Sequence, residues 1–207
     1  MYIRDAFKQH DINAIVDCVK DNSLALLVVN GEPFPQVFHV PLLLIQEDEK
    51  WLLKGHVALA NPLVTLDKTP ILAVFNGADA YISPGFYATK QQDPRVVPTW
   101  NYATVQMGGQ LELKHDLDWK LALLTQLTQT HEGKREQPWQ ITDAPADYIE
   151  KMTKAIVGIE IEVEDIKGKW KVSQNQPQEN KQSVANHLEA TSVEENVTMA
   201  AMVKQFF

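Results

Sequence analysis

The chain has 207 residues, of which 44% are hydrophobic and 22% charged, a composition that excludes wholesale disorder and allows a sizeable buried core. Its formal net charge is −8, and its densest basic run, residues 167–171, holds three lysines. Direct DNA binding normally needs a basic stripe that neutralises phosphates. The sequence therefore argues against strong, direct DNA binding.

The compartment is indicated by the cysteine content and the N-terminus. Cys18 is the single cysteine, so no internal disulfide can form, which is typical of a reducing environment. Residues 1–5 lack the pattern of a signal peptide, and no apolar run reaches the roughly 20 residues of a membrane span. We expect a soluble cytoplasmic protein.

The first half of the chain predicts one helix and a series of short strands. Apolar residues at helical spacing predict a helix over 11–21, with Asp11 as its N-cap. Asn30-Gly31 predicts a hairpin turn, and Asn76-Gly77 is expected to end a strand. The expected strands cover residues 23–29, 36–45, 51–57 and 70–75, and a short helix is expected over 61–66.

The second half predicts two further strands and two helices. The alternation of apolar and acidic residues over 156–166 is typical of a strand with one solvated face. A strand over 105–114 contains Gly108-Gly109, which favours an interruption such as a bulge. Helices are expected over 116–130 and around 148–153, and a hairpin at Gly168 is expected to lead into a final strand.

The last 32 residues, 176–207, are polar and predict two helical stretches, around 184–188 and 197–207. An apolar face of the second stretch is expected to pack on the barrel or on a partner subunit; it consists of Met199, Met202, Val203, Phe206 and Phe207. We divide the chain into a domain over 1–175 and a helical extension over 176–207. Many short strands with few helices favour a mainly β, α+β barrel.

No glycine-rich phosphate loop, HExxH motif or GxSxG elbow occurs in the sequence. Four clusters of hydrogen-bonding and stacking residues remain as candidates for a ligand site, although ordinary strand-edge and turn chemistry would also explain each of them. They lie at residues 54–62, 81–87, 97–102 and 168–175. The candidate cofactor-binding residues within them are Lys54, His56, Asn61, Ser83, Thr99, Trp100, Asn101, Tyr102, Lys171 and Ser173.

Taken together, these clusters resemble the PaiB family, the FMN-binding negative transcriptional regulators. The most specific blocks are Pro98-Thr99-Trp100-Asn101-Tyr102 and Ser173-Gln174-Asn175. The resemblance continues, in the family's order, through Met1-Tyr2, His39 with Pro41, His56-Val57-Ala58, Asn61-Pro62, Tyr81-Ile82-Ser83-Pro84, Tyr87, Pro138-Trp139, Ile156-Val157-Gly158 and Gly168-Lys169.

The resemblance implies a split β-barrel related to pyridoxamine-phosphate oxidases, and a homodimer with FMN at the subunit boundary. It places Lys54, His56 and Asn61 near the phosphate, and Trp100, Asn101 and Tyr102 beside the ring. It also implies a role in negative regulation of transcription. Because the chain is acidic, we expect that role to be indirect.

The chain departs from the family pattern at a few positions. Leu59 stands where an arginine is common, Gly85-Phe86 replaces Ser-Trp, and Gln106 replaces a histidine. An arginine lost from a phosphate site removes charge-assisted hydrogen bonds worth roughly 1.5–3 kcal/mol. FMN is the expected cofactor, and these departures leave open whether its binding is retained, weakened or lost.

Two other functions stay open on the sequence. A bound flavin would permit oxidoreductase activity on small molecules, although no residue is singled out as a general acid or base. A haem-binding split barrel would need one histidine as axial ligand, with His39, His56 and His187 as candidates.

Overall fold

The computed structural model describes all 207 residues, which form eight β-strands, five α-helices and several short 3-10 helices. The strands are β1 (Lys8–Gln9), β2 (Leu24–Val29), β3 (Gln36–Pro41), β4 (Leu43–Glu47), β5 (Lys50–Ala58), β6 (Pro70–Ile82), β7 (Thr99–Lys114) and β8 (Ile156–Lys171). The helices are α1 (Ile12–Asp21), α2 (Leu117–Glu132), α3 (Ala146–Lys154), α4 (Gln178–Glu189) and α5 (Glu194–Lys204).

The strands form one sheet in the order β3-β2-β6-β7-β8-β5-β4, and β1 pairs separately with β8. The pairings are antiparallel, with Leu27 opposite Phe38 on β3 and Ala73 on β6, and His56 opposite Gly158 on β8. The expected mainly β, α+β class is confirmed. No helix is long and apolar enough to cross a membrane.

The residues group into two compact units. Unit 1 comprises residues 1–22, 75–106 and 167–207, and unit 2 comprises 23–74 and 107–166. Strands β6, β7 and β8 each contribute residues to both units.

Unit 2 contains strands β2–β5 together with α2 and α3. Its fully buried side chains include Leu53, Leu63 and Ile161. The buried Lys120 on α2 donates from Nζ to the carbonyl oxygens of Thr153 (2.9 Å) and Ile156 (3.2 Å). This ammonium group satisfies one carbonyl in the last turn of α3 and one at the start of β8, and so joins α2 to both elements.

Unit 1 contains α1, α4, α5 and the ends of three strands. Asp11 caps α1 as expected, because its Oδ1 accepts a hydrogen bond from the Asn13 amide at 2.9 Å. Helices α4 and α5 pack against each other, with Met199 and Val203 of α5 fully buried, whereas Phe206 and Phe207 remain exposed. The domain boundary at residue 175 stays a prediction.

The predicted end of β6 at residue 75 is wrong, because the strand continues through Asn76-Gly77 to Ile82. Gly77 marks close packing rather than a turn. A Cβ at this position would lie 3.2 Å from Cys18 Sγ and 3.3 Å from Ala103 Cβ. The glycine therefore lets α1 and β7 approach β6.

Strands β7 and β8 are also longer than expected. Strand β7 begins at Thr99, so residues 99–102 of the predicted cluster 97–102 lie on a strand, and β7 continues unbroken through Gly108-Gly109. The expected hairpin at Gly168 is wrong: β8 runs on to Lys171 because β1 pairs with it there, with Gln9 opposite Gly168 and Lys8 opposite Lys169.

The single strand expected over 36–45 is divided into β3 and β4 at Leu42. The Leu42 amide leaves the ladder and donates to the carbonyl oxygen of Ser23 at 2.8 Å. The short helix expected over 61–66 is a 3-10 helix over Pro62–Thr65.

Candidate functional site

In unit 1, the start of β7 meets the end of β8, since the two strands are neighbours in the sheet. The Lys171 Nζ donates to Thr99 Oγ1 at 2.6 Å and also to the carbonyl oxygen of Trp100. These bonds fix a lysine ammonium group beside the predicted Thr99–Tyr102 cluster.

The side chains of this cluster alternate between the two faces of β7, as in any strand. Asn101 is 1% exposed, whereas Trp100 is 54% exposed. The Asn101 Nδ2 donates to Ser173 Oγ at 2.9 Å, and both residues are buried. Ser173 has a φ of 64°, so the turn after β8 is held in a left-handed conformation by a residue other than glycine.

Aromatic rings lie on the exposed face of β7 and next to it on β6. Tyr81 and Trp100 make an edge-to-face contact, with ring centroids 5.8 Å apart at 68°. The Lys169 Nζ lies 4.9 Å from the centroid of the Tyr102 ring and donates to the carbonyl oxygen of Tyr2 at 3.1 Å.

Two cavities open at this junction, both within unit 1. The first, which we call the aromatic cavity, has a volume of about 370 Å³. It is lined by the four aromatic residues Tyr2, Phe7, Trp100 and Tyr102 and by Thr99, Arg4, Lys169 and Lys171.

The second cavity, which we call the polar cavity, has a volume of about 410 Å³. It shares Arg4, Phe7, Thr99 and Lys171 with the aromatic cavity. Its remaining lining residues are Tyr87, Arg95, Val96, Val97, Asn101, Ser173, Asn175 and Gln176.

Every charged residue that lines these two cavities is basic, although the chain as a whole carries a net charge of −8. Arg4, Lys169 and Lys171 have no carboxylate partner, whereas Arg95 pairs with Asp93 at 2.7 Å. Burial, and secondarily the charge of Lys169, lowers the pKa of Lys171. An anion bound here would relieve this repulsion.

Three other candidate residues, Lys54, His56 and Asn61, lie in unit 2. The Lys54 Nζ contacts Glu47 Oε1 at 2.5 Å and Glu160 Oε2 at 3.4 Å, so two carboxylates offset its charge. The Asn61 side chain accepts a hydrogen bond from the Leu63 amide at 2.9 Å and caps the following 3-10 helix.

His56 is the most unusual of these three residues. Its Nδ1 atom is buried without a hydrogen-bond partner, and burial lowers the pKa of the imidazole. The nearby family departure Leu59 is largely exposed, and its amide donates to the carbonyl oxygen of Ala155 at 2.8 Å.

The structure therefore brings four of the ten candidates together in the aromatic cavity, and it places Asn101 and Ser173 in the adjoining polar cavity. Ser83 lines neither cavity, and its Oγ accepts a hydrogen bond from the Gly85 amide at 3.1 Å. The four in the aromatic cavity are Thr99, Trp100, Tyr102 and Lys171. The cofactor-binding role of all ten residues stays a prediction.

Sequence reasoning missed Arg4, Arg95 and Lys169, which line the two cavities. Lys169 was detectable, because it is two residues from Lys171 on one strand and therefore shares its face. Arg4 and Arg95 are two of the three arginines in the chain. They are 91 positions apart, and no local pattern links them.

Comparison with known proteins agrees with this description. Residues 1–165 match the model of a family described as "Putative FMN-binding domain". Protease synthase and sporulation protein PAI 2 of Bacillus subtilis is 31% identical over 206 residues, which cover 99% of this chain and 95% of that protein. The chain belongs to the PaiB family.

The chain is also similar to a protein of a second organism and to solved structures. A protein of Emericella nidulans is 28% identical over 243 residues, which cover 99% of this chain and 97% of that protein. Among solved structures, the FAD and heme binding protein from Mycobacterium smegmatis aligns with a TM-score of 0.60 at 14% identity, over 79% of this chain and 73% of that one. The fold of this PaiB-family chain is thus the expected split β-barrel.

Proposed function

We propose that this PaiB-family protein binds FMN in the aromatic cavity of unit 1, with the phosphate facing Lys169, Lys171 and Arg4. The observation that carries this proposal is the combination of aromatic walls with three cations that have no carboxylate partner. The family description adds support, because it names an FMN-binding domain.

The residues present fit the chemical groups of FMN. The flat ring system needs aromatic or apolar walls, which Trp100 and Tyr102 offer, and the phosphate dianion needs N–H donors. The volume of about 370 Å³ lies within the usual range for a ligand pocket. When bound, FMN supplies redox chemistry of its own, and the protein supplies binding and orientation.

The alternative phosphate position, suggested by family resemblance, is the Lys54–Asn61 segment of unit 2. There the Lys54 ammonium group faces Glu47 and Glu160, and the Asn61 oxygen is used in a cap. A phosphate beside these groups would meet two carboxylates before it met an unpaired cation. Electrostatics therefore favours unit 1 as the place of the phosphate. Leu59 lies in unit 2, so it plays no part in this phosphate binding.

The proposal is tested by titrating the protein with FMN and with riboflavin, which lacks the phosphate, while following flavin fluorescence and thermal stability. FMN should bind more tightly, and Lys169→Gln should raise the Kd for FMN about tenfold, as expected for one charged hydrogen bond. The Kd for riboflavin should change little. The exposed Lys154, on α3 and paired with Glu150, offers the matched control Lys154→Gln. Equal affinity for the two flavins would contradict the proposal.

For the regulatory role, we propose action through a protein partner rather than through direct DNA contact. The support is the net charge of −8, since the phosphate backbone repels an acidic surface. The homodimer is part of the same proposal, because Tyr2 and Trp100 of the aromatic cavity, and Tyr81 that contacts Trp100, are about half exposed or more. A salt-sensitive, sequence-specific DNA complex at physiological salt would contradict the indirect role. Light scattering of the protein in solution tests the dimer.

A further inference from the structure

The polar cavity lies beside the proposed flavin site and has a different chemical character. Apart from the four residues it shares with the aromatic cavity, its lining holds one aromatic ring, that of Tyr87. The other residues specific to it are the hydrogen-bonding Asn101, Ser173, Asn175 and Gln176, the apolar Val96 and Val97, and Arg95. A second ligand with its own chemistry would fit this lining.

The charge of the polar cavity selects an anion. Arg4, Arg95 and Lys171 line it, and no carboxylate does. Of these three cations, only Arg95 has a carboxylate partner. Cations that converge on one cavity repel each other, and a bound anion offsets that repulsion.

Asp93 orients Arg95 without using all of its donors. Asp93 Oδ1 accepts from Arg95 Nε at 2.8 Å, and Oδ2 accepts from Nη2 at 2.7 Å. A guanidinium group has five N–H donors, so three remain after these two bonds. The exposed Arg95 side chain therefore pairs with Asp93 and keeps N–H donors that can bind a carboxylate.

Part of the wall is apolar and accommodates a hydrocarbon group. Val97 is 73% exposed, which is a large fraction for a valine beside a cavity, and Tyr87 is buried with its ring at the lining. A hydrocarbon group placed against Val96 and Val97 would remove apolar surface from water. The ligand that fits is small, with one charged end and one apolar end.

We propose that the polar cavity binds a small organic monoanion, a carboxylate with a short apolar body, between Arg4, Arg95 and Lys171. Since Arg4 and Lys171 line both cavities, this ligand lies directly beside the flavin. That adjacency rests on the proposed function, whereas anion binding in the polar cavity does not. The anion is in the position of a substrate or effector of the flavin.

The test uses benzoate as the probe and benzamide as its uncharged counterpart, each titrated calorimetrically into the full-length protein without flavin. Benzoate binds saturably, and benzamide binds at least about tenfold more weakly because it lacks the charge. Arg95→Gln raises the Kd for benzoate about threefold to tenfold and leaves the Kd for FMN unchanged. Arg135→Gln changes neither Kd; Arg135 is an exposed arginine that pairs with Glu132 much as Arg95 pairs with Asp93.

A second titration separates this proposal from the first. At saturating benzoate, the apparent Kd for FMN is unchanged or reaches a plateau, because both ligands bind at once. An apparent Kd that rises in proportion to benzoate concentration would show a single shared site and overturn the proposal, as would equal binding of benzoate and benzamide. Benzoate binding without FMN binding would overturn the flavin proposal alone.

Discussion

At the scale of single residues, the Asn101–Ser173 pair combines a buried hydrogen bond with backbone strain. Removal of the Ser173 hydroxyl leaves the Asn101 amide unpaired in a buried position, which costs about 1–3 kcal/mol. A non-glycine residue in a left-handed conformation costs on the order of 1 kcal/mol more. The pair therefore holds the start of β7 to the turn after β8 at some cost to the backbone.

The buried hydrogen bond and the backbone strain together predict different stabilities for two variants of Ser173. Ser173→Ala should lower the free energy of unfolding by about 1–3 kcal/mol. Ser173→Gly should be less destabilising by about 1 kcal/mol, because glycine relieves the backbone strain. Denaturant unfolding with matched m-values measures both. A glycine variant less stable than the alanine variant would contradict the backbone strain at residue 173.

His56 predicts a pH dependence of stability. Burial lowers the pKa of His56 in the folded state, while the unfolded value is about 6.5. Between these values the unfolded chain binds more protons, so stability is present above about pH 6.5 and is lost as the pH falls toward the folded pKa.

The free energy of unfolding should therefore decrease as the pH is lowered from about 7 to 5. His56→Gln should reduce that slope, and the exposed His131→Gln should keep it. Denaturant unfolding at several pH values provides the measurement. A slope that is the same in the His56 variant as in the wild type would show that another group is responsible.

At the scale of elements, β7 and β8 approach each other closely at Gly109. A Cβ built on Gly109 would lie 2.0 Å from the carbonyl oxygen of Glu162, whereas one on Gly108 would come no closer than 3.9 Å to Asp165 Cβ. Adjacent glycines thus have different roles, and only Gly109 is required by packing.

Gly109→Ala should destabilise the protein by about 1–3 kcal/mol or more, because the backbone of β8 must move. Gly108→Ala should have little effect and serves as the control, since the new methyl group meets ordinary contact distances. Thermal unfolding compares the two variants. Similar losses of stability in both variants would show that packing of β7 against β8 does not require Gly109 in particular.

Helix α4 supports the segment that carries Tyr87 into the polar cavity. The buried Asn180 accepts a hydrogen bond from the Thr89 amide at 3.0 Å and donates to Gln176 Oε1 at 3.2 Å. Phe86 and His187 stack nearby, with ring centroids 4.7 Å apart. One helix therefore contacts two segments of the cavity wall.

Asn180→Ala should free the Thr89 amide and loosen the segment 84–91. Hydrogen exchange at Thr89 should become faster by about tenfold for each 1.4 kcal/mol lost. The exposed Asn186→Ala, on the same helix, should leave this exchange rate unchanged. Unaltered exchange at Thr89 in the Asn180 variant would mean that α4 does not hold the segment.

Local sequence patterns predicted elements well where one short-range interaction decides them. Asp11 indicated the start of α1, and alternation over 156–166 indicated the first part of β8. The errors at Gly77 and Gly168 have one cause: a glycine was interpreted as a turn where partners distant in sequence, Cys18 and β1, determine the structure. Arg4 and Arg95 were missed as cavity-lining residues for the same reason, because they come together only in the fold.

At the scale of the whole molecule, charge is distributed unevenly. Several lysines of the chain form ion pairs with carboxylates, as Lys50, Lys54 and Lys114 do. Arg4, Lys169 and Lys171 in unit 1 do not. We infer that these cations, which lie beside aromatic rings in an acidic protein, form the site for an anionic aromatic ligand.

The most direct test is the crystal structure of the protein grown with FMN. We predict that the phosphate lies within hydrogen-bonding distance of the Nζ atom of Lys169 or Lys171, and that the ring lies against Trp100 or Tyr102. A phosphate bound instead at Lys54, His56 and Asn61, or a structure without FMN at saturating concentration, would contradict this prediction.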